Sequence, residues 1–112
     1  MGKNLKQKPK SIESSLPEKV RVFGKDFSIG KAYLEQGFSD CGQMDEGKLA
    51  ILVRDGQPKI EEADTLLHET IHAIDFVMDL ELTEKQVRLL ATGLIGVFQD
   101  NPEFARFVTK QH

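Results

Sequence analysis

The spacing of hydrophobic positions changes along the chain, from every second residue in its first half to every third or fourth in its second. Residues 20–29 alternate between apolar and polar side chains on both sides of Gly24, which predicts a β-hairpin with this glycine in or beside the turn. Residues 48–54 have a continuous apolar centre and predict the strongest strand. Residues 36–47 are rich in Gly, Asp and Ser and predict a loop. The first half therefore predicts three strands.

The second half predicts three helices. Residues 59–78 place their apolar side chains on one broad helical face, and acids occupy the first turns, where the helix dipole favours them. Thr83 and Gln86 match a capping box that begins a second helix. The Asn-Pro pair at 101–102 predicts the N-cap and first position of a short helix ending near residue 110. We expect a small α+β domain, with a three-stranded antiparallel or mixed sheet packed on the first two helices.

Length and composition favour a single folded domain. The chain has 112 residues, of which 39% are hydrophobic, enough for one small core. Residues 1–16 have four lysines among polar residues and no apolar period, which predicts a flexible basic tail before a domain of residues 17–112. A solubilising role suits this tail better than nucleic-acid contact, because four lysines make a weak electrostatic patch.

The charge and the targeting signals exclude several classes of protein. A net charge of −3 gives no general attraction for nucleic acid. The single cysteine, Cys41, excludes an internal disulfide. No apolar run is long enough to span a membrane, and the lysine-rich N-terminus lacks the apolar segment of a secretory signal. We expect a cytoplasmic protein with no membrane partner; the sequence does not indicate its oligomeric state.

Residues 68–72, His-Glu-Thr-Ile-His, are the strongest chemical signal in the chain. His68 and His72 lie four residues apart on a predicted helix, so both imidazoles point towards one spot, at the border of its apolar face. Zn²⁺ binds such neutral imidazole nitrogens at about 2.0–2.1 Å. Glu69 follows the first histidine, where its carboxylate can reach a zinc-bound water and act as a general base. The pentapeptide therefore predicts a catalytic zinc site.

A catalytic zinc usually has a third protein ligand, and here the nearby candidates are acids. Asp79, Glu81 and Glu84 all follow the first helix closely. Glu84 lies on the inward arc of the second helix, where a carboxylate needs a partner, so we favour it over the other two. Its alternative role is that of an ordinary acid at a helix N-terminus. His72 lies roughly 9 Å before the predicted end of its helix, so Glu84 would have to reach back.

Four further residues are weaker candidates. Asp75 either accepts an N–H from a ligand imidazole or is a solvated helix acid. Arg88 either pairs with Glu84, four residues before it, or stabilises an oxyanion. We expect Tyr33, at the end of the second strand, to pack against the sheet, and Cys41 to be a bystander rather than a thiolate ligand.

These motifs together resemble the small gluzincin-type zinc metallopeptidases, the ImmA/IrrE-like group found in phages and other mobile elements. The resemblance rests on residues 65–75, on Leu-Thr-Glu at 82–84, on Asp-Asn-Pro at 100–102 and on the apolar strand 49–53. It covers roughly residues 17–105. It implies a minimal zincin-like fold, with an active-site helix, a glutamate helix and an edge strand that binds an extended peptide beside the zinc.

Carried onto this chain, the resemblance implies that His68, His72 and Glu84 bind zinc and that Glu69 is the base. The expected activity is hydrolysis of peptide bonds, with the protein or peptide substrate bound along the Lys48–Arg54 strand if that strand lies at the sheet edge. The chain departs from larger members because the interval from His72 to Glu84 is short and because it has no obvious downstream histidine to stabilise an oxyanion. The alternative is a phage-type interaction protein that keeps the metal-binding fold without cutting its partner. A phage-encoded chain would act in the host cytoplasm.

Overall fold

A computed structural model describes residues 15–33 and 41–110 of this protein, which form a four-stranded sheet and three helices. The elements, in chain order, are β1 (Lys19–Val22), β2 (Lys25–Ala32), β3 (Gly42–Asp45), β4 (Ala50–Arg54), α1 (Lys59–Met78), α2 (Glu84–Asp100) and α3 (Pro102–Thr109). The sheet order is β1-β2-β4-β3. β2 and β4 are parallel, and the other two pairs are antiparallel. The chain is thus a small α+β protein with a mixed sheet.

The predicted hairpin is confirmed. Phe23 and Gly24, the two residues between β1 and β2, have φ values of 47° and 83°, and such left-handed conformations match the twist of a tight hairpin. The Arg21 side chain crosses the strands and donates from Nε to Asp26 Oδ1 at 2.8 Å. This hydrogen bond lowers the pKa of Asp26. Local sequence signals therefore determine the first two strands.

The sheet has one strand more than the sequence predicted, and the prediction for residues 36–47 was wrong in its second half. β3 lies there, and it pairs with β4 so that Gly42 is opposite Val53 and Asp45 is opposite Ala50. β3 has no apolar alternation of its own, and it is held by its backbone hydrogen bonds to β4 and by its packing on α1. The condition for substrate binding along the Lys48–Arg54 strand, that this strand lies at the sheet edge, is not met, because β4 is an interior strand.

The helices begin largely where their sequence signals predicted. α1 spans the predicted 59–78. At the start of α2, the Thr83 hydroxyl accepts from the Gln86 backbone N–H at 3.1 Å, and the Gln86 side chain accepts from the Thr83 N–H at 2.9 Å. Pro102 begins α3 as predicted, but the Asn101 side chain does not cap it and donates to the Val97 carbonyl instead. No helix in the described ranges is long and apolar enough to cross a membrane.

The core has two parts, and α1 belongs to both. Between the sheet and α1 lie the first set of buried side chains, Val22, Phe27, Ile51, Val53 and Ala73. Between α1 and α2 lie Ile71, Val87 and Ala91. α1 is thus covered on one face by the sheet and on another by α2. The expectation that the sheet packs on both helices was wrong for the second, because among the described residues α2 packs on α1 and not on the sheet.

The predicted tail lies mostly outside the described residues, which begin at Ser15. Leu16 packs against the first part of the core, so ordered packing reaches the last residue of the predicted tail. Residues 36–40 of the predicted loop also lie outside the described residues, and so does His112 at the C-terminus.

Candidate metal centre

His68 and His72 lie one turn apart on α1, and their side chains are 20% and 27% exposed. Their ring centroids are 5.0 Å apart, with the ring planes at 59° to each other. Because residues four apart on a helix stack along its axis, both rings occupy the same side of α1. That side is the gap between the sheet and α2, as the position of the histidines at the border of the apolar face predicted.

Glu84 brings the two imidazoles together. Its Oε2 is 2.9 Å from Nε2 of His68, and its Oε1 is 3.0 Å from Nε2 of His72. A carboxylate oxygen accepts, so these contacts are hydrogen bonds in the tautomer that carries the proton on Nε2 of each ring. One ligand atom from each of the three residues lies within 4.8 Å of the other two, a group that could hold a metal ion.

The donor atoms suit the predicted metal. Two imidazole nitrogens and one carboxylate oxygen are a protein ligand set of catalytic zinc, which leaves a fourth position open. The distances of 2.9 and 3.0 Å are close to the roughly 3.3 Å that separates two ligand atoms in tetrahedral zinc coordination. Binding of a metal would use the Nε2 lone pairs, so each neutral ring would carry its proton on Nδ1, and Glu84 would have to move only slightly.

The connector between α1 and α2 explains how Glu84 reaches His72. Asp79 ends α1 in a left-handed conformation with φ 57°, and Glu81 has φ 61°. Two such residues in a five-residue connector reverse the chain sharply enough for the first residue of α2 to return to the histidines. Asp79 and Glu81 were the alternative third ligands, and within the described residues neither belongs to the metal-binding group.

Glu69 is buried between α1 and β3, with 7% of its surface exposed. The close approach of these elements depends on Gly42, which the sequence analysis missed. A Cβ atom there would lie 2.7 Å from Thr65 Cγ2, 2.8 Å from the Leu52 carbonyl oxygen and 3.2 Å from Glu69 Cγ. The signal in the sequence was Gly42 at the start of a short polar segment. A second turn lies between this segment and the strong strand of residues 48–54.

The candidate site opens into a cleft of about 660 Å³. β3 and the turn after it, residues 42–47, line one side, and the histidines with Glu69 and Glu84 line the other. A smaller cavity of about 380 Å³ adjoins the same residues, and its further walls include Cys41, Asp64 and Arg88. The metal-binding group is therefore accessible to a ligand larger than water.

Among the described residues, none of the four weaker candidates belongs to the metal-binding group. The Asp75 carboxylate accepts from the Leu82 backbone N–H at 3.3 Å, so it is bonded to the connector rather than to an imidazole. Arg88 lines the smaller cavity and, among described residues, forms no ion pair with Glu84. Tyr33 is 84% exposed, so the expectation that it packs against the sheet was wrong. Cys41 is exposed at the cavity wall and lies outside the metal-binding group.

Comparison with models of protein families, with curated proteins and with solved structures finds no match for this chain. The resemblance to small gluzincin-type metallopeptidases therefore rests on the motif residues and stays a prediction. What indicates a function is the geometry of His68, Glu69, His72 and Glu84 and the cleft beside them.

Proposed function

We propose that the protein is a zinc-dependent peptidase, in which His68, His72 and Glu84 bind one Zn²⁺ and Glu69 is the general base. The observation that carries the proposal is the convergence of three ligand atoms beside a buried glutamate at the wall of an open cleft. Neither metal binding nor a buried acid alone would favour hydrolysis, but their combination at a cleft supplies an activated water and space for a substrate.

A zinc ion held by His68, His72 and Glu84 would act as a Lewis acid towards the substrate carbonyl and would lower the pKa of a bound water to about 7. Glu69 then takes the proton of the attacking water and delivers it to the amine that leaves. Glu69 is buried and its Cγ packs close to Gly42, which leaves the side chain little room to change rotamer. His68 and His72 would bind the metal from the same stretch of α1 that carries this base.

We place the peptide along β3 rather than along β4. Within the described residues β3 pairs with β4 alone, and it lines the cleft opposite the histidines. An extended peptide that added a strand to Gly42–Asp45 would lie across the cleft, with its backbone bonded to the sheet edge. One oxygen of the Asp45 carboxylate is already hydrogen-bonded, because Oδ1 accepts from the N–H groups of Gly47 and Lys48 in the following turn.

The test is cleavage of a mixture of unstructured peptides by zinc-loaded protein, with products identified by mass spectrometry. Glu69→Gln should lower the cleavage rate at least about 100-fold, the usual size of a general-base effect, and should retain zinc. Glu61→Gln is the matched control, since it makes the same change at an exposed position on the same helix. An active Glu69→Gln protein would exclude this residue as the base. Zinc binding without cleavage by the wild type would favour the interaction protein.

A further inference from the structure

We propose that Asp75 is a positioning residue for the third metal ligand. It holds the connector of residues 79–83 in the shape that presents Glu84 to the two imidazoles. This inference rests on the proposed metal site, because it assigns to Asp75 an effect on metal affinity that acts through Glu84. Asp75 lies one turn beyond the second histidine on α1, yet its polar groups are directed to the chain that follows the helix.

Asp75 accepts three hydrogen bonds from the connector. Its backbone carbonyl accepts from the N–H groups of Asp79 and Leu80, the latter at 3.2 Å. Its side-chain Oδ1 accepts from the N–H of Leu82 at 3.3 Å. The two backbone hydrogen bonds are ordinary for the end of a helix. The side-chain hydrogen bond reaches further along the connector, to Leu82, two positions before Glu84.

The connector needs such an anchor because its shape is intrinsically unfavourable. Asp79 and Glu81 both adopt left-handed backbone conformations, which side-chain-bearing residues rarely populate without support. The carboxylate bond to Leu82 closes the connector after both of these residues. The Leu82 side chain packs against the cluster between α1 and α2, so its backbone and side chain are fixed together.

The position of Leu82 is transmitted to Glu84 through a short rigid segment. Thr83 follows Leu82 and forms the capping box with Gln86, which sets the direction of the first turn of α2. Glu84 is the first residue of that turn, and its side chain is 67% exposed, so core packing does little to hold it. Placement of its carboxylate therefore depends on where the connector delivers the start of α2.

The experiment measures zinc dissociation constants by competition with a chromophoric chelator. Asp75→Ala should raise the dissociation constant about tenfold, as loss of an outer support for a metal ligand commonly does. Asp75→Asn should stay within about twofold of wild type, because the amide oxygen can accept the same hydrogen bond. Asp79→Asn is the control: it removes an equal charge from the connector and keeps a residue that tolerates the left-handed conformation.

The same substitution in a Glu84→Ala background tests whether Asp75 acts through the ligand. There Asp75→Ala should change zinc affinity less than about twofold, since nothing remains to be positioned. An equal tenfold loss in both backgrounds would overturn the proposal and indicate a direct or general structural role. If Asp75→Ala does not fold, Asp75→Glu, which displaces the carboxylate by one methylene, replaces it in both backgrounds.

Amide hydrogen exchange separates this proposal from the proposed function. In metal-free protein, the Leu82 N–H should lose protection in Asp75→Ala and keep it in Asp75→Asn. Unchanged Leu82 protection in Asp75→Ala would overturn the anchor even if zinc binds. Absence of zinc binding by the wild type would instead refute the metal site, and Leu82 exchange would then still show whether Asp75 holds the connector.

Discussion

One carboxylate lies between two histidines at the wall of the cleft. The two oxygens of Glu84 lie 2.9 and 3.0 Å from Nε2 of different imidazoles, so the three side chains already have the mutual orientation that a shared cation requires. Glu84 lies at the first position of α2, where an acid would also interact favourably with the helix dipole. Only a measurement of metal affinity separates these two roles, because both place a carboxylate at the same position.

Glu84→Ala is expected to weaken zinc binding by at least about 100-fold, since it removes one of three ligands. Without metal, the helix content of the variant should be nearly unchanged, because the lost dipole contact is worth only about 0.3–1 kcal/mol and the capping box remains. Zinc titration and circular dichroism check the two statements. Glu81→Gln, an exposed acid in the connector, is the control. Unaltered zinc affinity in Glu84→Ala would leave this residue only its helix-dipole role.

At the scale of elements, the site depends on how closely β3 approaches α1. β3 is short and lies at one end of the described sheet, and it packs directly on α1. Gly42 allows this approach, because the space that its Cβ would fill is occupied by Thr65 and by the Leu52 backbone. The absence of a side chain at Gly42 therefore sets how close Glu69 lies to β3, the strand along which we place the peptide.

Gly42→Ala should destabilise the protein by about 1–3 kcal/mol, the usual cost of inserting a methyl group into a filled space. Peptide cleavage should fall further than zinc affinity. The added methyl group would displace β3 and the Glu69 side chain, whereas the two histidine side chains would keep their positions. Urea denaturation, cleavage rates and zinc titration provide the comparison. Gly30→Ala is the matched control, because a Cβ on this sheet glycine would make only an ordinary contact at 3.9 Å with Leu52. Equal stability of the two variants would refute the close approach.

The elements that the sequence predicted well are those with local signals. The hairpin at Gly24, the full span of α1 and the capping box at Thr83 follow from residues adjacent in the chain. β3 could not be predicted in this way, because its hydrogen bonds come from β4 and it has a single apolar side chain, Met44. The interior position of β4 could not be predicted from its apolar run either, because Ile51 and Val53 are buried while Leu52 is half-buried, so the run reports one well-covered face and not the place of the strand in the sheet order.

At the scale of the whole molecule, α1 carries both core residues and residues of the candidate metal site. One face packs on the sheet through Ala73 and another packs on α2 through Ile71, which leaves His68 and His72 in the gap between the two. The helical wheel predicted this border position, because it depends only on the spacing along one helix. The bonding of Asp75 to the connector could not be predicted, because it depends on the path of residues that lie beyond that helix.

The most direct test of the account is the zinc content of the purified protein, determined by elemental analysis after dialysis against metal-free buffer. We predict about one zinc per chain for the wild type. The double variant His68→Ala/His72→Ala should retain less than about a tenth of that amount, because it loses two of the three ligands. Its circular dichroism spectrum should show that the helices persist. Equal zinc in the folded double variant, or no zinc in a wild type supplied with the metal, would contradict the metal centre and the peptidase proposed from it.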